Sequence, residues 1–384
     1  MKKLVVNQYR LFCINVVLLV LADWMQSSLL FQGMPFVVAF FKYSALLFGI
    51  LAFILEYKKG LNIGETAKLC FLLLLSLLTC LKTRNMSYLL IVLIITTAKD
   101  IHIDDFIEIN FKVSVICAII QISLWILNCF VSLGFPIYEN AIEHRIGFLY
   151  IHPNMAAVKL GWMIIMWLWL RWDIAQKKDY VIAAIATGLL YYTTRSDGCV
   201  LIYVFILFMI LKNKPTIRRM VLFWGKYIFF LIGIVSCYLS VHFIGYGKSS
   251  QVSQYLDVFF SKRFAMAYLA IKDTGMTLLG QVISTEHDWE GVDTLFHFGN
   301  YTIDCLYIYL FVAVGLVWFV LISLGFYNLL KKSKSYKYAV VVIVFSLYAL
   351  IELHCLYLPK CFALLLLKDC IFDSNSSEQS VQPQ

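Results

Sequence analysis

Long apolar runs recur from one end of the chain to the other, parted by short polar interruptions. They fall at about 10–30, 35–56, 66–82, 86–98, 110–134, 154–170, 181–194, 198–211, 221–245, 301–329, 338–354 and, shorter, near 355–369. A helix needs roughly 17–25 apolar residues to cross ~30 Å of hydrocarbon, and in lipid only helices or closed barrels satisfy every backbone polar group. A membrane barrel would read as short segments alternating between lipid and lumen; no such alternation is present. The pattern predicts an all-α fold, a polytopic transmembrane bundle of about 11–12 spans forming one membrane domain over 1–369. The tail, 370–384, is rich in Ser, Gln, Asn and Glu from Asp373 onward and has a disordered composition.

Composition sharpens this. With 61% hydrophobic and 14% charged residues, and a mean hydropathy of +0.81, the chain cannot carry the polar surface of a water-soluble globule. The formal charge of +9 comes from short clusters between apolar runs, which read as topology signals and not as a nucleic-acid surface. Eleven cysteines lie mostly inside apolar segments without a C-x-x-C pair, so neither zinc nor a disulfide framework is indicated. Met1-Lys2-Lys3 before the first run imitates a signal peptide, but no small-residue cleavage site precedes Asp23-Trp24, and a retained first helix is expected.

With the N-terminus in the cytoplasm, Lys58-Lys59, Arg171 with Lys177-Lys178, Lys212 through Arg219 and Lys331 through Lys337 all fall inside, as the positive-inside rule asks. The longest polar stretches, 135–153 and 246–300, then lie on the outer face. Arg145, Arg195, Lys262, Arg263 and Lys272, with Lys82 and Arg84 as weaker cases, sit where few cations are expected. Headgroup binding or snorkelling is the ordinary account of any one of them.

The organising stretch is Arg145-Ile-Gly-Phe-Leu-Tyr-Ile-His-Pro-Asn154. Pro153 lacks an amide donor and suits a first helical turn, so a helix over about 154–170 starts here. His152 and Arg145 are left beside free N–H groups and the positive end of a helix dipole, a plausible seat for phosphate. Tyr191-Tyr-Thr-Thr-Arg195-Ser-Asp-Gly makes a tight outer turn that fixes Arg195, with Ser196 or Asp197 placed to cap the next helix. In the 246–300 loop, residues 259–271 have helical spacing with an apolar face, which predicts a helix along the bilayer surface and a lid over a site. Glu286-His-Asp-Trp-Glu290 follows.

Two other stretches compete for attention. Asp100, Asp104, Asp105 and Glu108 resemble a magnesium-diphosphate pattern, but the apolar residues between them favour an amphipathic helix on the inner surface. Asp23, Lys42, Glu352 and His354 are ionisable residues in or near apolar spans and hence functional candidates; an Asp23–Lys42 pair is the structural alternative.

Arg145…His152-Pro-Asn154, Thr194-Arg195-Ser196, Arg263 with Ala270-Ile and Leu279-Gly-Gln281, and Ile303-Asp304-Cys-Leu-Tyr307 stand in this order on the expected outer face. In this order and spacing the chain resembles the Wzy-type polymerases of bacterial surface polysaccharides (O-antigen, capsule, exopolysaccharide), which are related to the O-antigen ligases. Members often read Ser-Arg where this chain has Thr-Arg-Ser, and Asn or Ser where it has Cys305. The resemblance implies a multi-pass protein of the cytoplasmic membrane that joins polyprenyl (undecaprenyl) diphosphate-linked oligosaccharide repeats on its outer face. It implies no metal, no cofactor and no nucleic acid, and a flippase and a chain-length regulator as further partners.

Under that resemblance the diphosphate lipid is the leaving group, and cations with helix-end amides stabilise it. Arg145 and Arg195 form the clamp by bidentate guanidinium contacts. His152 is a general base toward the acceptor hydroxyl or a second diphosphate donor. Asn154 orients, Arg263 and Asp304 hold the outer loop or the glycan, and Tyr307 stacks on a sugar. A ligase of the same architecture is the alternative. A lipid-linked oligosaccharide transporter is another; transporters show internal repeats, broken helices and polar residues deep in the bilayer, whereas no convincing repeat is present here and the polar residues gather at the outer ends and in one large outer loop.

Overall fold

The computed structural model of the chain describes residues 2–58, 63–135, 139–140, 145–243, 249–283 and 303–372. Of the described residues 79% are helical, and among them the one sheet is a two-residue antiparallel pair, so the architecture is all-α. Among the described residues six helices are long and apolar enough to cross a membrane, seven if one bent pair is a single span. That is fewer than the 11–12 expected. Of the other expected spans, Ser87–Thr97, Asp197–Ile210 and Tyr336–Ile351 are apolar but shorter, Lys177–Thr194 carries three charged residues in its first turn, and the last is not a single helix. The Glu286–Glu290 run and the tail from Asp373 lie outside the described residues. The chain divides into two compact units, one of Met1–Leu73, Leu90–Asn213 and Tyr357–Gln384, the other of Leu74–Leu89 and Lys214–Leu356.

In the first unit, α1 (Lys2–Gln26) and α2 (Pro35–Tyr57) form a hairpin, followed by α3 (Ile63–Thr83) and α4 (Ser87–Thr97), which each contribute to both units. Gly49 lets α2 approach closely, since a Cβ there would lie 3.0 Å from Asn15 Nδ2. α5 (Ile103–Val131) is continuous over 29 residues, and this corrects the expected surface helix at 100–109. The acidic residues Asp104 and Asp105 occupy its first turn, where the helix dipole favours them. Asp104 accepts the indole N–H of Trp169 at 2.6 Å. A hairpin of β1 (Glu139–Asn140) and β2 (Arg145–Ile146) precedes α6 (Pro153–Leu170), α7 (Lys177–Thr194) and α8 (Val200–Ile210).

α6 is buried on almost every side, as a helix apolar all round must be. Its Trp162 and Trp169 meet the ring of Phe362 edge-on, with centroids 5.8 and 5.0 Å apart. Phe362 belongs to the segment expected as a short last span. That segment is instead two short 3-10 turns, Leu353–Leu356 and Ala363–Leu367, and α16 (Lys368–Ile371) follows at its end.

The second unit is built around α15 (Tyr336–Ile351), whose middle is wholly buried. The run expected at 221–245 is a bent pair, α9 (Pro215–Gly225) and α10 (Ile228–Val241), with a 56° break. α11 (Gln251–Phe259) and α12 (Arg263–Thr274) come next. The helix expected over 259–271 is therefore present as α12, with α11 before it; α12 buries Phe264, Ala265, Leu269 and Ala270 against Phe243.

The run at 301–329 is also broken. α13 (Leu306–Tyr309) passes into a π-helical turn, Leu310–Val314, and α14 (Leu316–Ser333) starts after Gly315 at φ +120. A break leaves carbonyls and amides without helical partners, and buried backbone groups must be satisfied. The irregular segment 277–281 does this. Thr277 N–H donates to Phe311 O (2.9 Å), Gln281 N–H to Ala313 O (3.0 Å), and Leu316 N–H donates back to Thr277 O (2.9 Å). The Gln281 side-chain amide adds a bond to Val312 O at 2.9 Å. The backbones approach so closely that a Cβ on Gly315 would lie 2.4 Å from Leu278 O.

Candidate functional site

The geometry at the start of α6 follows from local sequence. Pro153 takes the first helical position and His152 the N-cap, in extended backbone conformation. His152 Nδ1 accepts the N–H of Asn154 at 3.1 Å. Because that donor is a backbone amide, the neutral imidazole carries its proton on Nε2 and is a donor at that nitrogen. The base role is thereby disfavoured, and a donor role toward an oxyanion fits.

Arg145 ties two helix ends together. Its Nε donates to Thr194 O at 2.8 Å, a carbonyl at the C-terminus of α7. Its Nη2 donates to Asn154 Oδ1 in the first turn of α6. A cation at a helix C-terminus meets orphan carbonyls and the negative dipole end, so this placement holds the guanidinium in a fixed orientation. The next residue, Arg195, ends α7 in the left-handed region at φ 50, with its N–H on Tyr191 O at 2.7 Å. It is exposed, and its guanidinium lies 5.0 Å from the centroid of the Tyr192 ring.

The turn between Arg145 and His152 is clamped to the α1–α2 connection. Leu29 N–H donates to Leu149 O (2.8 Å) and Ile151 N–H to Ser27 O (3.0 Å). Phe148 and Leu149 are both left-handed, at φ 51 and 62, which costs about 1–2 kcal/mol per residue away from glycine. Such strain persists only where surroundings over-determine it, and it concentrates at functional sites. Here Trp24, Cys117, Tyr150, Met155 and Ala156 form the surrounding core. Burial pushes the Tyr150 phenol well above its usual value, so it stays protonated.

The remaining expected site residues belong to the second unit. Arg263 opens α12 and donates from Nη1 to Phe260 O at 3.1 Å. Asp304 is half-buried just before α13. Tyr307 corrects the expectation of sugar stacking. It is fully buried, its hydroxyl donates to Ser346 O at 2.8 Å, and its ring packs on Phe229 at 4.9 Å. An enclosed ring offers no face to a sugar. Glu352, another ionisable candidate, is buried at the C-cap of α15.

A charged cluster was only half visible in the sequence. Asp23 does not rely on Lys42. Lys159 Nζ lies 2.5 Å from Asp23 Oδ2 and Lys360 Nζ 3.3 Å from Oδ1, with Lys42 within electrostatic range of both Asp23 and Lys360. A lysine inside the apolar run 154–170 was the available signal for Lys159. Nothing local marked Lys360.

Among the described residues no three His, Cys, Asp or Glu side chains gather as a metal site. Compared with known proteins, the chain matches no family model, no curated protein and no solved structure.

Proposed function

We propose that the chain is an integral-membrane glycosyltransferase that polymerises polyprenyl-diphosphate-linked oligosaccharide repeats on the outer face of the cytoplasmic membrane, in the manner of the Wzy-type polymerases it resembles. Insertion in a bilayer is supported by large side chains that helices turn outward, such as Phe36, Phe40 and Leu47 on α2 and Ile116 and Ile119 on α5. Apolar area of that extent in a water-exposed protein would aggregate.

The observation that carries the reading is Arg145, gripped between Thr194 O and Asn154 Oδ1 where one helix starts and another ends. The expected free N–H groups are not found, since those of Asn154, Met155 and Ala156 are taken by His152 Nδ1 and His152 O; a preorganised guanidinium at the positive end of the α6 dipole still suits an anion whose charge grows during reaction. The acceptor hydroxyl oxygen bonds to the anomeric carbon of the donor glycan as the bond from that carbon to the diphosphate oxygen breaks. The electron pair leaves with the lipid diphosphate, and the hydroxyl proton passes to solvent. Arg145 and Arg195 neutralise the departing charge, His152 donates to it from Nε2, and Asn154 keeps Arg145 oriented.

Arg195→Ala and Arg145→Ala are expected to abolish polymer while single lipid-linked repeats accumulate outside the cell. Loss of one such donor costs about 10²–10³ in rate. Arg→Lys rescues poorly, because a point charge does not replace the planar fork. Normal polymer from both alanine variants at matched protein levels refutes the clamp.

A second reading, transport of the same lipid-linked glycan, gains from two observations. Broken helices and buried ionisable residues are features of transporters, and the chain has the Gly315 break and the Asp23–Lys159–Lys360 cluster. Movement of the lipid across a vesicle wall without ladder formation would favour it.

A further inference from the structure

An apolar groove of about 550 Å³ runs between α5, α6 and α7. Phe111 of α5, Leu160 and Trp167 of α6, and Ala186 and Thr193 of α7 line it, and Phe148 stands at one end. We infer that this groove holds the single hydrocarbon chain of the polyprenyl diphosphate whose head meets Arg145 and Arg195; the inference rests on the clamp reading above.

Three features choose this occupant. The wall asks for no hydrogen bond over most of its length. The Thr193 hydroxyl is already used on Leu189 O (2.9 Å) and Leu190 O (3.1 Å) of its own helix, and apart from the Trp167 indole the other named lining side chains are hydrocarbon. A peptide segment would bring backbone groups that this wall cannot satisfy; a hydrocarbon chain brings none. The groove also opens sideways at Ile182 and Leu189, which are 54% and 62% exposed, so a chain slides in from the bilayer without crossing water.

The charge pattern supplies the third feature. The end of the groove at Phe148 and Thr193 adjoins the cations, since Thr193 precedes the residue whose carbonyl holds Arg145 and lies two before Arg195. Phe148 is fixed there by its left-handed backbone and by an edge contact with Trp125, ring centroids 5.1 Å apart. An anionic head at the arginines therefore leads its tail past Phe148 into the groove. At about 550 Å³ the groove has room for the head-proximal part of one hydrocarbon chain, which suits a single-chain polyprenyl lipid better than a two-chain phospholipid.

The test is photolabelling of the purified full-length protein in liposomes with a polyprenyl diphosphate bearing a diazirine in its tail. Labels are expected on the peptides covering 160–167 and 182–193. Ala186→Trp fills the groove and should reduce labelling by about tenfold or more, the equivalent of losing a few buried methylenes, while binding of inorganic diphosphate is unchanged. Leu189→Trp, at the open rim, repeats the test if the first variant does not fold. Labels elsewhere, with binding still lost in Arg195→Ala, overturn the groove and leave the clamp standing. Equal labelling of these peptides by a diazirine-tailed phosphatidylglycerol overturns the chosen occupant. No binding of the polyprenyl diphosphate at all overturns the clamp and the groove together.

Discussion

Replacing Asp23 by Asn keeps the shape of the side chain and removes the negative charge held between Lys159 and Lys360. The contacts are 2.5 and 3.3 Å, and the three side chains are 11%, 10% and 6% exposed. At an effective dielectric near 20 these separations correspond to about 7 and about 5 kcal/mol of gross attraction. Desolvation of the ions offsets most of that, and breaking one partner of a buried pair typically costs about 3–5 kcal/mol. There is also a ceiling. A lysine without a partner can release its proton, which from an ordinary value near 10.4 costs about 4.6 kcal/mol at pH 7. We therefore expect Asp23→Asn to lose about 3–5 kcal/mol, seen as an apparent Tm lowered on the order of 4–6 °C in detergent. Lys360→Met, which leaves the 2.5 Å contact intact, should lose clearly less. In the Asp23→Asn background, Lys159→Met should cost nothing further or restore stability, because it removes one of the stranded charges. Additive losses in that double variant, or an Asp23→Asn melting curve like that of the unaltered protein, refute the reasoning.

Other expectations follow from single contacts. Tyr307→Phe removes a buried hydroxyl that donates to Ser346 O, so stability should fall by about 0.5–1.5 kcal/mol with polymer yield per folded molecule unchanged; reduced polymer at matched levels would return Tyr307 to the site. Asp179 lies in the first turn of α7, where the Gln176 backbone N–H at 2.8 Å, helped by Arg171 at 3.2 Å, holds its carboxyl below the usual carboxylate range. A lowered folded value gives stability above the unfolded value, near 3.9, that is lost as pH falls through the folded one. Asp179→Asn should thus melt earlier than the parent at pH 7, with a gap that begins to narrow near pH 4 and closes only as pH falls further, through the lowered folded value; a pH-independent gap contradicts this.

How much of this was legible in the sequence depends on the range of the interaction. Pro153 and the tight turn at Arg195 are local signals, and the helix start and helix end they predicted are found within a residue. Apolar periodicity found α12. Continuity was misread where the apolar pattern and the backbone disagree. Asp104 and Asp105 sit inside one unbroken helix because a first turn welcomes acids, whereas the break at Gly315 hides in an apolar run and is stabilised by Gln281 and Thr277, more than 30 residues earlier. Long-range pairing was not legible. Asp23 meets lysines 136 and 337 positions away, and Lys42, close in sequence, was the natural guess. Phe148 and Leu149 adopt left-handed backbone with no glycine to announce it. Tyr307 shows the converse error, a residue placed by order in the chain whose side chain faces the core.

The most direct test of the central claim is to incubate the purified protein in liposomes with a polyprenyl-diphosphate-linked oligosaccharide repeat and EDTA, and to separate the products on a gel. The account predicts a ladder spaced by one repeat, absent from Arg195→Ala. Folded protein that yields no ladder from a native repeat, or that moves the lipid across the vesicle wall without joining it, contradicts the account.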